Sequence, residues 1–301
     1  MSVFRIPARL NLAIAAAQLA MMLSLFWAAG QVEHWGAIAL LSGGYGVIMN
    51  SAYAMLHEAE HGILHPVRRI NDAVGMVLAL FFPAPFHLIR QGHLGHHIRN
   101  RSDDEAFDLY FPDENRYLKR LQLYGTLTGL FWVLIYITNA VALVYPALVV
   151  PSLNRTTDAF VESLNPRYRR LIQLEAFAIV ALHVGLIRAW HIPLGHYFAL
   201  MFGFGFTWSA MQYAHHYGTE RDVLKGARNL RTFRLLDLVW LNHNWHRNHH
   251  GQPTVPWIYL PVLGEATEQR GSLLQAYFKM WHGPQPATER IQNRFAGKVI
   301  Q

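Results

Sequence analysis

The 301-residue sequence contains no cysteine. Disulfide bonds, iron–sulfur clusters and zinc sites built from thiolates are therefore excluded. Charged residues are also scarce: they make up 15% of the chain, against roughly 25% in a typical soluble domain. Hydrophobic residues account for 52%. This balance and the long apolar runs indicate a membrane protein.

The formal net charge of +7 does not indicate a nucleic-acid partner. The basic residues flank apolar segments, as membrane topology requires, and the aromatic residues lack a repeated basic–aromatic pattern that would stack bases. A secretory signal is not predicted, because the first apolar run is too long and has no clear small-residue cleavage site. We therefore expect a membrane as partner and no nucleic acid.

Four apolar segments are long enough to cross a hydrocarbon layer, which needs about 20 residues per helix. They are residues 11–29, 36–56, 170–189 and 193–213. The loop at 30–35 has no Lys or Arg, whereas the segment after residue 213 is rich in arginine. The positive-inside rule then places the N-terminus and the chain after 213 in the cytoplasm. We expect one domain over residues 1–301, in a bacterial inner membrane.

Two further apolar stretches are predicted to enter and leave the membrane on one side. Residues 73–82 are too short to cross as a helix and are followed by two prolines. The uncharged run 121–154 must also return to its own side, and we expect a shallow hairpin that bends near Thr138-Asn139. The predicted fold is an all-α integral membrane protein with about four transmembrane helices, re-entrant or interfacial helices and a cytoplasmic cap.

Eighteen histidines are unusually many for this length, and eight of them form three motifs. On a helix, residues three and four apart share one face, so each motif can project its imidazoles into one volume. Imidazole suits iron, zinc, copper and nickel. Eight nitrogens exceed the capacity of one ion, whereas two ions fit the number. The eight residues are His57 and His61 in HEAEH, His93, His96 and His97 in HLGHH, and His246, His249 and His250 in HRNHH.

The first motif also fits a different chemistry, because H-E-x-x-H is typical of zinc proteases. Glu58 would then be the general base, but six of the eight histidines would have no role. A metal transporter is a second alternative. Transport favours ionisable ligands in the middle of the membrane, whereas these motifs lie beyond the ends of the predicted spans. Both alternatives remain open at this point.

The order H-x-x-x-H, H-x-x-H-H, H-x-x-H-H resembles the fatty acid desaturase superfamily, which includes alkane hydroxylases and carotenoid ketolases. The resemblance covers residues 45–262 and is carried by HEAEHGILHP, GHLGHH and LNHNWHRNHHGQPTVPWIYLP. It implies a non-heme di-iron oxidase that uses O₂ to oxidise an unactivated C–H bond of a lipid-like chain. Fatty acyl desaturation is expected first, and hydroxylation or another oxidation of an alkyl, fatty acid or carotenoid substrate is the alternative.

The resemblance also implies two iron ions, O₂ as co-substrate and electrons from another protein. No cytochrome b5-like domain or flavin motif is recognised in the chain, so we expect a soluble donor such as ferredoxin or rubredoxin. The residues implied as iron ligands are the eight motif histidines and a ninth, His216.

The ninth histidine is implied by the segment MQYAHHYG. It is similar to N-Y-x-E-H-Y-G of alkane hydroxylases, with Gln212 in place of asparagine and His215 in place of the acidic residue. Neighbouring helical residues diverge by about 100°, so only one of the two adjacent histidines can face the metals. Ligand imidazoles commonly donate their free N–H to a nearby acceptor. The candidates for supporting contacts of this kind are Glu58, Glu60, Asp104, Asp108, Gln212, His215 and His243.

Overall fold

The computed structural model describes residues 4–130, 132–144, 155–264, 269–295 and 298–300. These residues are predominantly helical. The helices are α1 (Ala8–Gln31), α2 (Trp35–Glu60), α3 (Arg68–Phe81), α4 (Phe86–Arg99), α5 (Arg116–Leu127), α6 (Trp132–Val144), α7 (Arg155–Glu162), α8 (Arg169–Ala189), α9 (Leu194–Gln212), α10 (Arg234–Val239), α11 (His246–Gly251) and α12 (Leu273–Met280). Shorter 3-10 helices occupy Pro166–Tyr168, Tyr213–His215 and Trp257–Leu263.

Four two-residue strands accompany the helices. They form two parallel pairs, β1 (Leu109–Tyr110) with β4 (Gln285–Pro286) and β2 (Leu230–Arg231) with β3 (Gly271–Ser272). The fold is therefore mostly helical rather than all-α. The first pair joins the segment before α5 to the C-terminal part of the chain. The second pair joins two segments that both lie after α9.

The long helices coincide with the four segments predicted to span a membrane. Among the described residues, α1 and the helix Pro166–Ala189, which contains α8, are long and apolar enough to cross. Two bent pairs raise the candidates to four if each pair is one span: α3 with α4, bent by 99°, and α5 with α6, bent by 97°. Helices α2 and α9 have 26 and 19 residues but contain more glycine than α1 and α8 do. A crossing by these two helices remains a prediction.

Helices α2 and α9 pack against each other through small side chains. Ser42 Oγ donates to the Ala199 carbonyl at 2.6 Å. A Cβ atom added to Gly203 would lie 2.5 Å from the Ser42 carbonyl oxygen. Small residues that let two backbones approach are typical of helix pairs in membranes. The approach positions the end of α2, where the first histidine motif lies.

The helix breaks differ from the prediction in one place. Proline 83 and its neighbours end α3, because proline lacks the N–H that a helix needs. The bend predicted near Thr138-Asn139 is wrong, since α6 continues through both residues. The break lies instead between α5 and α6, where Gly129 adopts a φ of +77° that glycine accommodates without strain. Residues 145–154 of the predicted hairpin lie outside the described residues.

We expect Gly203→Ala to destabilise the protein, because the added methyl group would overlap the Ser42 backbone. Overpacking of this kind typically costs about 1–3 kcal/mol. Thermal unfolding in detergent should show a lower midpoint for this variant. Gly43→Ala on α2 is the control, since nothing lies within 4 Å of its added Cβ. Equal stability of the two variants would mean that α2 and α9 do not approach this closely.

Candidate metal centre

The histidine motifs lie where four parts of the fold meet. His57 and His61 are at the C-terminal end of α2, and the second motif occupies the last two turns of α4. The third motif forms most of α11. His216 directly follows the 3-10 helix that ends α9. Residues separated by almost 200 positions in the sequence therefore come together in one volume.

The described residues contain two groups of histidines whose ring nitrogens converge. In each group one nitrogen per residue lies within 4.8 Å of the others. The first group is His57, His61, His93, His97 and His249, and the second group is His96, His216, His246 and His250. The structure thus brings together all nine histidines that the sequence indicated as ligands, in groups of five and four.

In the first group the converging atoms are Nε2 nitrogens. The His61 and His93 Nε2 atoms are 2.8 Å apart, and the His249 and His97 Nε2 atoms are 2.9 Å apart. His57 Nε2 is buried and has no protein hydrogen-bond partner. A hydrogen bond between two imidazole nitrogens uses one proton and one lone pair. Five Nε2 atoms that converge on one space therefore leave some lone pairs without a proton donor. A cation in that space would accept them all.

The second group has the same arrangement. The Nε2 atom of His246 lies 2.9 Å from that of His216 and 3.2 Å from that of His250. The rings of His97 and His250, one from each group, stack with centroids 4.3 Å apart. The two groups are therefore direct neighbours.

Each H-x-x-H-H motif contributes to both groups. In the second motif His93 and His97 join the first group, whereas His96 joins the second group. Side chains four residues apart differ by about 40° around a helix, and those three apart differ by about 60° in the opposite direction. The i and i+4 imidazoles therefore point together, and the i+3 imidazole points to the neighbouring group. His249 does the same in the third motif.

Two of the histidines are oriented by hydrogen bonds through their other ring nitrogen. His96 Nδ1 lies 2.8 Å from a carboxylate oxygen of Glu105, which Arg99 also contacts. Burial alone would raise the pKa of Glu105, but His96 and Arg99 together hold it below the ordinary value. His216 Nδ1 donates to the Gly226 carbonyl at 2.8 Å. This contact leaves the His216 Nε2 lone pair free for a metal.

Glu58 and Glu60 of HEAEH differ in their contacts. A Glu58 carboxylate oxygen accepts a hydrogen bond from the Trp257 backbone N–H at 3.0 Å, so it joins α2 to the segment after the third motif. Glu60 approaches His93, with a carboxylate oxygen 3.9 Å from Nδ1. Among the two glutamates, Glu60 is therefore the one beside an imidazole of the groups.

The acidic segment after α4 contributes a different residue from the one expected. Glu105 rather than Asp104 contacts a histidine, and the Asp104 carbonyl instead accepts a hydrogen bond from Thr156. Asp108 is buried and contacts the Arg101 guanidinium at 2.5 Å. The spacing of the acidic run could not separate Asp104 from Glu105, because the chain there forms turns rather than a helix.

Asp108 supports the segment that carries His216. Besides Arg101, its carboxylate accepts hydrogen bonds from the Tyr213 hydroxyl at 2.6 Å and from the Gly218 backbone N–H at 2.6 Å. Tyr213 and Gly218 lie on either side of His216 in the sequence. Asp108 therefore holds both ends of a short segment, although it does not touch an imidazole of the two groups itself.

The remaining three candidates lie around one small cavity of about 20 Å³ beside the groups. Gln212, His215 and His243 line it together with Tyr53 and Trp240. Burial lowers the pKa of His215 to about 4 and that of His243 to about 3. His215 Nδ1 contacts the Arg228 carbonyl at 3.1 Å. Of the adjacent pair, the structure thus places His216 in a group and His215 next to it.

The imidazoles of the third motif are uncharged at neutral pH. Burial, and then the surrounding imidazoles, hold the pKa values of His246, His249 and His250 well below the ordinary value for histidine. A neutral imidazole offers a lone pair, whereas an imidazolium does not. These three side chains are therefore in the state that binds a metal ion.

We expect Asp108→Ala to destabilise the protein strongly. Removing one partner of a buried ion pair leaves Arg101 without compensation, which typically costs about 3–5 kcal/mol. Chemical unfolding in detergent would measure this loss. Asp113→Ala is the matched control, because Asp113 is largely exposed in its pair with Arg290, and exposed pairs contribute about 0–1 kcal/mol. Equal small losses in both variants would contradict a supporting role for Asp108.

The sequence that forms this site matches a known protein family. The family described as fatty acid desaturase matches residues 33–283. This range includes all nine histidines and every helix from α2 to α12. No curated protein matches the chain. Because the matched range covers most of the sequence, the chain belongs to the fatty acid desaturase family.

Proposed function

We propose that each histidine group binds one iron ion and that the protein uses O₂ to oxidise an unactivated C–H bond of a lipid-like chain, by fatty acyl desaturation. Family membership supports lipid oxidation. The observation that carries the proposal is the convergence of nine imidazole nitrogens in two neighbouring groups. One residue type supplies every donor, and imidazole is a ligand that suits iron.

The residues present fit two metal ions. His57 Nε2 is buried without a protein partner and faces a group in which the other Nε2 atoms already converge. The imidazoles of α11 are neutral because of burial. Bound iron would supply the reaction with O₂ that protein side chains alone cannot perform. The chain itself holds the imidazoles and orients His96 and His216 through Glu105 and Gly226.

The protein also provides an apolar environment next to the groups. Tyr53 lies one turn before His57 on α2, with ring centroids 6.4 Å apart. Its ring stacks on Phe82 and meets Trp208 edge-on. Phe82 in turn contacts Trp132. These aromatic side chains exclude water from the membrane side of the groups, where an acyl chain would have to lie.

The location and partners follow from the same proposal. We propose that residues 1–301 form one desaturase-like domain in an inner membrane, with the histidines at the cytoplasmic side. The arginine-rich segment after α9 supports this orientation. Electrons would come from a soluble donor such as ferredoxin or rubredoxin, and O₂ is the co-substrate.

The protease alternative has less support. A general base must reach the water that attacks a peptide, yet a Glu58 carboxylate oxygen is engaged by the Trp257 backbone N–H. The other seven histidines of the two groups, beyond His57 and His61, would also have no part in a single zinc site. Two neighbouring groups of nitrogen donors are instead suited to a two-metal oxidase.

We expect the purified protein to contain about two irons per chain, since each group offers at least four nitrogen donors. His216→Ala should lose about one of them, because it removes a nitrogen from the group of four. His215→Ala is the matched control and should retain both, since His215 lies outside the groups. Elemental analysis measures all three proteins. Full iron content in His216→Ala would remove His216 from the site.

The activity itself is tested by product analysis. We expect that expression in a fatty-acid-producing host with a ferredoxin system yields acyl chains that have lost two hydrogens, as mass spectrometry would show. His97→Ala should abolish the product, because His97 lies in the first group and stacks on the second. Acyl chains that have gained an oxygen atom instead would show that the site hydroxylates its substrate and does not desaturate it.

A further inference from the structure

Helix α10 has an exposed apolar surface in a region that the sequence predicts to be cytoplasmic. Leu235 and Leu238 are 67% and 57% exposed, and Phe233, just before the helix, is 65% exposed. The opposite side of the helix packs against the protein. There Asp237 is buried, and its carboxylate accepts hydrogen bonds from Thr232 and Asn244. The apolar residues are thus held facing outward.

The contacts at the end of α10 indicate how deep this helix lies relative to the predicted membrane helices α1 and α2. Ser51 Oγ donates to the Val239 carbonyl at 2.5 Å and accepts a hydrogen bond from Gln18 Nε2 at 2.9 Å. Gln18 lies ten residues after the first residue of α1, which corresponds to about 15 Å along the helix. Val239 therefore lies beside a part of α1 that is inside the predicted span 11–29, about 10 Å from its start.

A second contact supports the same depth. Trp240 Nε1 donates to the Val47 carbonyl at 3.2 Å, and Val47 lies near the middle of α2. The Val47 side chain is itself 38% exposed. The end of α10 therefore lies beside an exposed apolar residue of α2.

We propose that the outward face of α10, formed by Phe233, Leu235 and Leu238, is embedded in the acyl chains of the bilayer. Short amphipathic segments bury their apolar face about 5–10 Å into the boundary between headgroups and acyl chains. Arg231 and Arg234 are exposed at the start of this segment. Long basic side chains of this kind extend to the headgroups while their neighbours remain in the apolar layer. The segment before α11 thus returns to the membrane after α9 has left it.

The position of α10 also bears on access to the histidine groups. Trp240 follows the helix directly and lines the small cavity with Tyr53 and Gln212. His243, in the same cavity wall, packs against His57 with ring centroids 4.9 Å apart. A lipid-embedded α10 thus leads from the bilayer to the side of the metal centre. Its use as a substrate route rests on the proposed function, whereas the embedding does not.

Fluorescence quenching in bilayers tests the embedding, and the cysteine-free sequence makes single-site labelling direct. Leu235→Cys would be labelled with an environment-sensitive fluorophore and the full chain reconstituted in bilayers with or without brominated acyl chains. Leu224→Cys is the matched control: Leu224 is also exposed, and its neighbour Val223 contacts Asn100 just beyond the end of α4. Phe202→Cys, exposed on α9, serves as the intramembrane reference.

We expect the label at Leu235 to lose fluorescence in brominated bilayers to the same extent as the label at Phe202, while the label at Leu224 keeps its fluorescence. Aqueous iodide should act in the reverse order. If Leu235 behaves as Leu224 does, α10 faces water and the proposal is wrong. If brominated chains quench neither Leu235 nor Phe202, the acyl chains reach neither α10 nor α9, and the proposal is wrong in that case too.

Discussion

The structure depends on one constraint: nine imidazoles have their nitrogen lone pairs directed into two small buried volumes. Buried polar groups without partners are costly, and here most of the possible partners are other imidazoles. Two nitrogens can share one proton, but a ring of four or five cannot be satisfied in this way. The rest of the fold holds these rings together despite the free-energy cost of their unpaired nitrogens. Bound cations would remove this cost.

The elements that hold the groups are themselves anchored by polar contacts that lie outside the two groups. Helix α2 is positioned by its approach to Gly203 of α9 and by the bond between Ser51 and Gln18. The buried pair of Arg101 and Asp108 holds the segment that follows α9. An apolar bundle alone would leave helices free to slide by a residue, and a shift of 1.5 Å would separate the nitrogens. Specific hydrogen bonds prevent that shift.

Much of this arrangement could be predicted from the sequence, because helical periodicity determines which histidines share a face. The positions of α1, α2, α8 and α9 follow from apolar runs, and eight of the nine histidines follow from motif spacing. His216 was indicated only by the resemblance of MQYAHHYG to alkane hydroxylases. The choice of Glu105 over Asp104 could not be predicted, since that segment is irregular and its contacts are set by distant residues. The bend at Gly129 was missed for a related reason: a left-handed glycine leaves no trace in hydropathy.

The same periodicity accounts for the sizes of the two groups. The first motif lacks an i+3 histidine, so both its imidazoles enter the first group, to which the second motif adds two and the third motif adds His249. The second group receives only His96 and the i, i+4 pair of the third motif, which makes three. His216 brings it to four, and for this reason the segment after α9 must be anchored to Asp108 and Gly226. The three motifs therefore build the whole first group and three of the four members of the second group, and the segment after α9 supplies the fourth.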